Sequence, residues 1–90
     1  MTKKTFTILA EEGLHARPAS LLAKTAMKFK CDINMSRDGE MNKAYQAKSI
    51  LSVMSIGASK GDRITFSAQG EDEVEAIKMI EELVVSKFKE

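Results

Sequence analysis

The chain has a single histidine, His15, in the segment EEGLHARPAS that spans residues 11–20. Helical spacing of apolar residues begins at Ala16, so Ala16, Arg17 and Pro18 form the predicted first turn of a helix. Proline is tolerated there because first-turn amides have no intrahelical acceptor. Those free amides and the positive end of the helix dipole favour an anion. A phosphoryl group on the His15 ring would meet these donors, and the planar Arg17 guanidinium could pair with it.

This arrangement predicts that His15 acts as a nucleophile toward a phosphoryl group. The helix dipole disfavours the protonated ring by about 0.3 to 1 kcal/mol at an exposed site, which favours the neutral, nucleophilic form. A lone histidine at a helix start is also commonly an ordinary capping or surface residue. A hydrolytic pair with Ser20 is disfavoured, because no acid is placed to orient the ring and Ser20 lies over a turn further along the helix.

Length and composition limit the alternatives. Ninety residues, 43% of them hydrophobic, suffice for one core, so we expect a single domain over residues 1–90. The net charge of +1 favours neither nucleic acid nor a membrane as a partner. The N-terminus MTKKTFTILAEEG is neither a signal peptide nor a spanning helix, which predicts a cytoplasmic protein. One cysteine and one histidine cannot build a disulfide or a four-ligand metal site, so Cys31 is predicted to be a core residue.

Periodicity predicts the element order βαββαβα. Strands are expected in KTFTILA, CDINMS and DRITFSAQG, and their predicted inward residues are Phe6, Ile8, Ala10, Cys31, Ile33, Met35, Ile64, Phe66 and Ala68. An Asp38-Gly39 turn should lead from the second strand to a third strand in EMNKAYQA, although Met41 and Tyr45 alternate poorly with the alanines there. Three helices should cover one face of this small sheet, which gives a two-layer α+β domain with largely antiparallel strands.

The three predicted helices differ in length. The first should bury Ala19, Leu22, Ala26 and Phe29. The second, KSILSVMS, is short and begins with Ser49 as a residue of N-cap type. The third, EDEVEAIKMIEELVVSKFKE, has acids in its first turn and lysines in its last, as the helix dipole prefers. Its predicted inward stripe is Val74, Ile77, Ile80, Val84 and Phe88.

The segments GLHARPAS, residues 13–20, and KSILSVMSIGASKGD, residues 48–62, together resemble the HPr family. HPr is the histidine-containing phosphocarrier of the bacterial phosphoenolpyruvate-dependent sugar phosphotransferase system, and the resemblance covers nearly the whole chain. It implies an open-faced β-sandwich, with four antiparallel strands and three helices on one face. It also implies that phospho-Enzyme I phosphorylates His15 on the ring nitrogen nearer the backbone, and that Arg17 assists transfer to sugar-specific IIA domains. No cofactor is expected, and the sequence has no GxxxxGK[ST] nucleotide loop.

Ser49 is the second site that the resemblance implies. In the low-GC Gram-positive branch of the family, HPr kinase/phosphorylase phosphorylates a serine at the start of the short helix, and KSILSVMS resembles that branch. The partner implied for the phosphorylated form is a catabolite-control transcription regulator. Ser49 can also simply cap the helix, and the two roles are compatible because a phosphate is electrostatically favourable at a helix N-terminus.

The short helix is unusually apolar, since five of the seven residues from Ile50 to Ile56 are apolar. A helix this short cannot turn all five toward the core. One interpretation puts Leu51 and Val53 in the core and treats the rest as incidental. The other makes Ile50 and Met54 an adaptable partner-binding surface beside His15, where the family docks its partners.

Two other functional classes share features of this sequence. A paralogue of the family could act mainly through phospho-Ser49 as a transcriptional co-regulator, or in a nitrogen-linked relay, but the presence of both His15 and Arg17 favours a working carrier. An RNA-binding module would need stacking aromatic residues on the open sheet face, whereas Phe6 and Phe66 are predicted to point inward. We expect a monomeric phosphocarrier.

Overall fold

The computed structural model describes residues 1–37 and 43–88. Its elements are β1 (Thr2–Thr7), α1 (Ala16–Met27), β2 (Asp32–Arg37), β3 (Tyr45–Gln46), α2 (Ile50–Ser55), β4 (Arg63–Gln69) and α3 (Glu73–Val85). The strands form one antiparallel sheet in the order β1-β4-β2-β3. The predicted open-faced α+β sandwich of four antiparallel strands and three helices is therefore confirmed.

The sheet is centred on β4, whose alternating residues Ile64, Phe66 and Ala68 are buried. The register sets Phe66 opposite Lys4 of β1 and Met35 of β2. All nine inward residues predicted for the three long strands are buried. A slip of the register by one residue would turn this whole set to the other face of the sheet, so the apolar pattern specifies the register. The rings of Phe6 and Phe66 pack against each other with centroids 5.7 Å apart. Neither ring is available to stack an RNA base.

Cys31 is a core residue, as predicted, with only 3% of its surface exposed. Burial, and then the neighbouring Asp72 carboxylate, raise the pKa of the thiol to about 11. The same carboxylate accepts the backbone amides of Lys30 and Cys31 at 2.9 and 3.0 Å. Asp72 thereby connects the end of the α1–β2 loop to the beginning of α3.

The helix α1 buries Ala19, Leu22 and Ala26 as predicted, while Phe29 lies just beyond its end and is half-buried. In α3, the predicted inward position of Val74 is wrong, since this side chain is 67% exposed. The buried stripe runs through Ala76, Ile80 and Val84, and at 3.6 residues per turn Val74 lies about 120° around the helix from Ile80.

The end of α3 also differs from the prediction. The helix stops at Val85, so its last turn contains no lysine. Lys87 and Phe88 follow in the left-handed region, with φ values of 59° and 60°. This reversal lets Phe88 pack into the core, where it is 1% exposed, although it lies outside the helix. Burial of the aromatic ring offsets the local cost of the left-handed backbone.

The third strand has only two residues. Tyr45 and Gln46 pair with Met35 and Asn34 of β2, and Ala47 continues the contact by donating its amide to the Ile33 carbonyl at 3.1 Å. The predicted Asp38-Gly39 turn and Met41 lie outside the described residues. Within residues 1–37 and 43–88, no helix combines the length and the apolar character needed to cross a membrane.

Candidate functional site

His15 lies directly before α1, in extended backbone with φ −76° and ψ −171°. Its side chain is exposed and does not cap the helix, but its carbonyl accepts the Ala19 amide at 2.8 Å. Because this is the first bond of the helix, the amides of Ala16 and Arg17 precede the intrahelical ladder. Pro18 completes the predicted first turn. Among the described residues, the His15 ring has no hydrogen-bond partner, and it lies next to amides that donate to no helical carbonyl.

The loop before His15 packs directly on the loop between α2 and β4. The Leu14 amide donates to the Ala58 carbonyl at 3.0 Å, and the Leu14 side chain is buried. Gly13 has a φ of 69°, and a Cβ placed there would lie 2.4 Å from the Ala58 oxygen. Glycine at position 13 therefore allows the two backbones to approach and fixes the point from which His15 projects.

His15 and Met54 line the same shallow depression, with a volume of about 190 Å³. The rest of its lining is Leu14, Gly57, Ala58 and Ser59. The structure thus brings together the predicted acceptor and one of the two predicted docking residues. These two residues come from elements that are far apart in the sequence.

The outer side of α2 is apolar and exposed. Ile50 and Met54 are each 41% exposed, as expected for a partner surface, and Leu51 is 79% exposed. The interpretation that put Leu51 in the core is wrong, whereas Val53 is buried as that interpretation expected. In a helix of six residues, one buried position is enough to attach the helix, so the other apolar side chains remain outside. We refer to Ile50, Leu51 and Met54 as the α2 apolar surface.

Ser49 is the N-cap of α2, as predicted. Its Oγ accepts the Ser52 amide at 3.3 Å, and its carbonyl accepts the Val53 amide at 3.0 Å. The residue is partly exposed. Its hydroxyl therefore lies beside the α2 apolar surface, at the end of the helix where the amides are free.

Arg17 is exposed, and among the described residues its guanidinium forms no ion pair. It lines a second shallow depression of about 220 Å³, with Ala10, Glu11, Glu12 and Lys87. His15 does not line this depression, so the two predicted phosphoryl-transfer residues occupy adjacent but separate parts of the surface. An unpaired guanidinium on a long side chain remains free to turn toward an anion.

Comparison with known proteins agrees with this geometry. The family model described as the PTS HPr component phosphorylation site matches residues 2–86. The chain belongs to the HPr family. It is similar to HPr-C-His from Thermoanaerobacter tengcongensis, with 47% identity and a TM-score of 0.92 over 100% of this chain and 98% of that one.

Two further solved structures are similar to this HPr-family chain. The phosphocarrier protein HPr from Bacillus anthracis is 35% identical with a TM-score of 0.84, over 92% of this chain and 95% of that one. The catabolite repression protein Crh from Bacillus subtilis, described as an intertwined dimer with a swapped domain, is 36% identical with a TM-score of 0.73 over 100% of both chains. The predicted family is confirmed, and the family and these structures support a phosphocarrier role in the phosphotransferase system.

Sequence reasoning missed a polar cluster behind the site of this HPr-family chain. Arg37 Nη1 donates to Asp62 Oδ2 at 2.9 Å, and Arg37 Nη2 donates to the Ile56 carbonyl. Asp62 Oδ2 also accepts the Ser59 amide at 2.8 Å. The Ser59 amide and then the Arg37 guanidinium lower the pKa of Asp62. The Lys60-Gly61-Asp62 sequence signals a turn, but no local pattern connects it to Arg37.

Proposed function

We propose that His15 accepts a phosphoryl group from phospho-Enzyme I and passes it to the IIA domains of sugar permeases. The observation that carries this proposal is the exposed ring at the start of α1, beside unused amides and the depression that it shares with Met54. Family membership supports the general phosphocarrier role, and the positions of these residues support the specific one. The role also assigns the protein to the cytoplasm, where a soluble relay would meet both partners.

In the proposed step, the lone pair on Nδ1 of a neutral His15 ring attacks phosphorus. The N–P bond forms as the bond between phosphorus and Enzyme I breaks, and that electron pair returns to Enzyme I. The other ring nitrogen keeps its proton. The amides of Ala16 and Arg17 face the phosphoryl oxygens as the charge on these oxygens is redistributed. Free amides at a helix N-terminus are suited to stabilising such an anionic group. Transfer to a IIA domain reverses the roles, with His15 as the leaving group.

Arg17 is assigned an assisting role in the same proposal. Its exposed guanidinium has no competing ion pair among the described residues, so it can turn to the phosphoryl group without breaking one. Arg17→Ala should still accept phosphate but transfer it more slowly to a IIA domain, because a neutral side chain cannot offset the charge on the moving group. Lys87→Ala, which removes a charge from the same depression, is the matched control. Equal transfer rates for wild type and Arg17→Ala would make the arginine a bystander.

The acceptor is tested by incubation with Enzyme I and phosphoenolpyruvate, followed by intact mass measurement. We expect one acid-labile phosphate on the wild-type chain and none on His15→Ala, with both proteins folded by circular dichroism. The ring is exposed and has no hydrogen-bond partner among residues 1–37 and 43–88, so this substitution is structurally mild. An acid-labile phosphate on the His15→Ala variant, or none on the wild type with an active Enzyme I, contradicts the proposal.

Ser49 is proposed as a regulatory site for HPr kinase/phosphorylase. Phosphate at this position adds about −1.5 to −2 charges at the start of α2, next to the α2 apolar surface. It should slow phosphorylation of His15 by disfavouring contact with an acidic partner surface, and it would present a charged face to a catabolite-control regulator. Site mapping after treatment with ATP and the kinase should find phosphate on Ser49 alone. Phosphate on Ser52 or Ser55 instead would contradict this assignment.

The similarity to Crh favours one second candidate, a protein that acts mainly in regulation. The two functions differ in their need for His15, because only a carrier must turn over phosphoryl groups on it. We also propose that the carrier acts as a monomer, although solved dimers of both HPr and Crh are known among the similar structures. Light scattering at assay concentration distinguishes a monomer from a dimer.

A further inference from the structure

The guanidinium of Arg37 connects the sheet to the loop between α2 and β4. Its backbone belongs to β2, opposite Ile64 of β4, so the side chain starts from a rigid element. It donates to both Asp62 and the Ile56 carbonyl. A side chain at Gly57 would begin 3.9 Å from Arg37 Nη2, so the guanidinium lies directly beside this glycine.

Asp62 fixes the same loop from its other end. Its carbonyl accepts the Ile8 amide at 2.8 Å, which ties it to the chain just after β1. Its carboxylate holds the Ser59 amide at 2.8 Å while it receives the Arg37 bond. Together, Arg37 and Asp62 therefore fix both ends of residues 56–59.

That short segment forms part of the depression that His15 lines. Gly57, Ala58 and Ser59 line the depression with His15 and Met54, and the Ala58 carbonyl receives the Leu14 amide. The segment also joins α2 to the sheet, so its position sets the distance between the α2 apolar surface and the His15 ring. Any displacement of this segment therefore changes the fit of a partner that contacts the α2 apolar surface and the His15 ring at once.

We infer that the Arg37–Asp62 ion pair is a positioning element of the phosphoryl-acceptor site, which holds residues 56–59 so that His15 and Met54 meet a partner in one fixed arrangement. The inference rests on the proposed phosphocarrier function and extends it to two residues outside the lining of the His15 depression. The pair is partly exposed, with side-chain exposures of 29% and 34%. Exposed ion pairs contribute little to global stability, so its effect should be local.

The test compares Asp62→Asn with Glu81→Gln. The first removes one charge from the Arg37 pair but leaves an oxygen that can accept the Ser59 amide. The second removes one charge from the Lys4–Glu81 pair, which has an N···O distance of 3.1 Å and joins β1 to α3. The two ion pairs are similar in kind, but only the Arg37–Asp62 pair contacts the segment that lines the His15 depression.

Three measurements are made on each variant. Hydrogen exchange reports the Leu14 amide, and NMR reports the His15 ring signals, both without any partner. Steady-state phosphorylation by Enzyme I and phosphoenolpyruvate gives kcat and KM for the carrier. In Asp62→Asn we expect Leu14 exchange about threefold faster or more, shifted His15 ring signals, and a KM roughly three- to tenfold higher with a small change in kcat. Arg37→Lys keeps the charge but loses the planar guanidinium that donates to two acceptors. Its Leu14 exchange and KM should therefore lie between those of wild type and Asp62→Asn.

The outcomes separate the two proposals. Unchanged Leu14 exchange and His15 signals in Asp62→Asn overturn the inference, whatever Enzyme I does. Equal KM values for Asp62→Asn and Glu81→Gln also overturn it, because the effect would then follow from charge or stability alone. A third outcome is that Leu14 exchange and the His15 ring signals change in Asp62→Asn, but Enzyme I does not phosphorylate the wild-type chain. That outcome would support the positioning role and contradict the proposed function.

Discussion

The Ala58 carbonyl accepts the Leu14 amide at 3.0 Å, and this bond joins the loop that carries His15 to the loop that follows α2. It is possible because Gly13, in a left-handed conformation, brings no side chain against the Ala58 oxygen. His15 and the α2 apolar surface are therefore coupled through backbone, without a side chain in between. This arrangement makes the geometry of the site sensitive to a single added methyl group.

Gly13→Ala and Gly61→Ala form a pair that separates this contact from backbone strain. Both glycines have positive φ values, 69° and 95°, but only Gly13 faces a backbone atom, since nothing lies within 4 Å of a Cβ at Gly61. Gly61→Ala should cost about 1 to 2 kcal/mol of stability from the left-handed backbone alone. Gly13→Ala should cost clearly more and should also slow phosphorylation of His15. Equal losses in urea unfolding would show that the close approach is unimportant.

Met54→Glu should weaken binding of Enzyme I more than tenfold, which corresponds to about 1 to 2 kcal/mol or more for a residue near the centre of an interface. The control is Met79→Glu in α3, because Met79 is 38% exposed and Met54 is 41% exposed. Titration calorimetry gives the affinities, and thermal unfolding shows whether the two variants lose similar stability. If Met79→Glu weakens binding as much, or if Met54→Glu acts only by unfolding the protein, the α2 apolar surface is not the docking site.

Ser49→Ala should lower the free energy of unfolding by about 0.5 to 2 kcal/mol, because the Ser52 amide loses its side-chain acceptor. Ser49→Asp should retain the cap, since a carboxylate also accepts that amide. Ser55→Ala is the control, because its hydroxyl donates to the Leu51 carbonyl at 2.7 Å and caps no amide. Urea unfolding in which Ser55→Ala costs as much as Ser49→Ala would contradict the capping role.

Glu73 predicts a pH dependence of stability. The Thr2 hydroxyl at 2.6 Å, and then the N-terminal ammonium, lower the pKa of Glu73 from its usual 4.5 to about 2. A carboxyl whose pKa is lower in the folded state stabilises the fold above its unfolded pKa, and this contribution disappears as pH falls from about 4.5 to about 2. Glu73→Gln should therefore lower the unfolding midpoint at pH 7, and the difference from wild type should shrink across that range.

The control for Glu73 is Glu75→Gln, which removes another first-turn charge from α3. It retains the contacts to Thr2 and the N-terminus, so its midpoint should differ less from wild type at pH 7. A difference between Glu73→Gln and wild type that stays constant from pH 7 to the acid limit would show that ionisation of Glu73 is not the source of the stabilisation.

The sequence predicts the strands well because each buried residue has a less buried neighbour on either side. Period-two alternation is a local property, and in Ile64, Phe66 and Ala68 it agrees with the burial that the sheet imposes. The predicted inward position of Val74 is wrong because the buried stripe of a helix depends on how the helix is rotated against the sheet. Glu73 instead turns toward β1 and accepts a hydrogen bond from Thr2, a contact across 71 positions of the sequence that no local pattern contains.

The residues of the site divide in the same way, into those that local sequence predicts and those that only the fold brings together. His15, Arg17 and Pro18 could be assigned to a helix start from local rules, and Ser49 to an N-cap. The depression shared by His15 and Met54 was anticipated only through family resemblance, since its walls come from separate elements. The Arg37–Asp62 pair could not be predicted at all. Its members are 25 residues apart, and among many charged residues only the folded sheet determines which two meet.

The pairing of β1 with β4 has a consequence for synthesis. Thr2 lies opposite Ala68 and Thr7 opposite Arg63, so β1 has no neighbouring strand until β4 has been synthesised. The loop with His15 follows β1 and depends on Ala58 for its anchoring bond. On the ribosome, His15 therefore emerges before residue 58, and its loop lacks the anchoring bond until that residue has left the exit tunnel. Contacts between residues this far apart in the sequence form slowly in folding, so the anchoring of the His15 loop belongs to the slow part of the process.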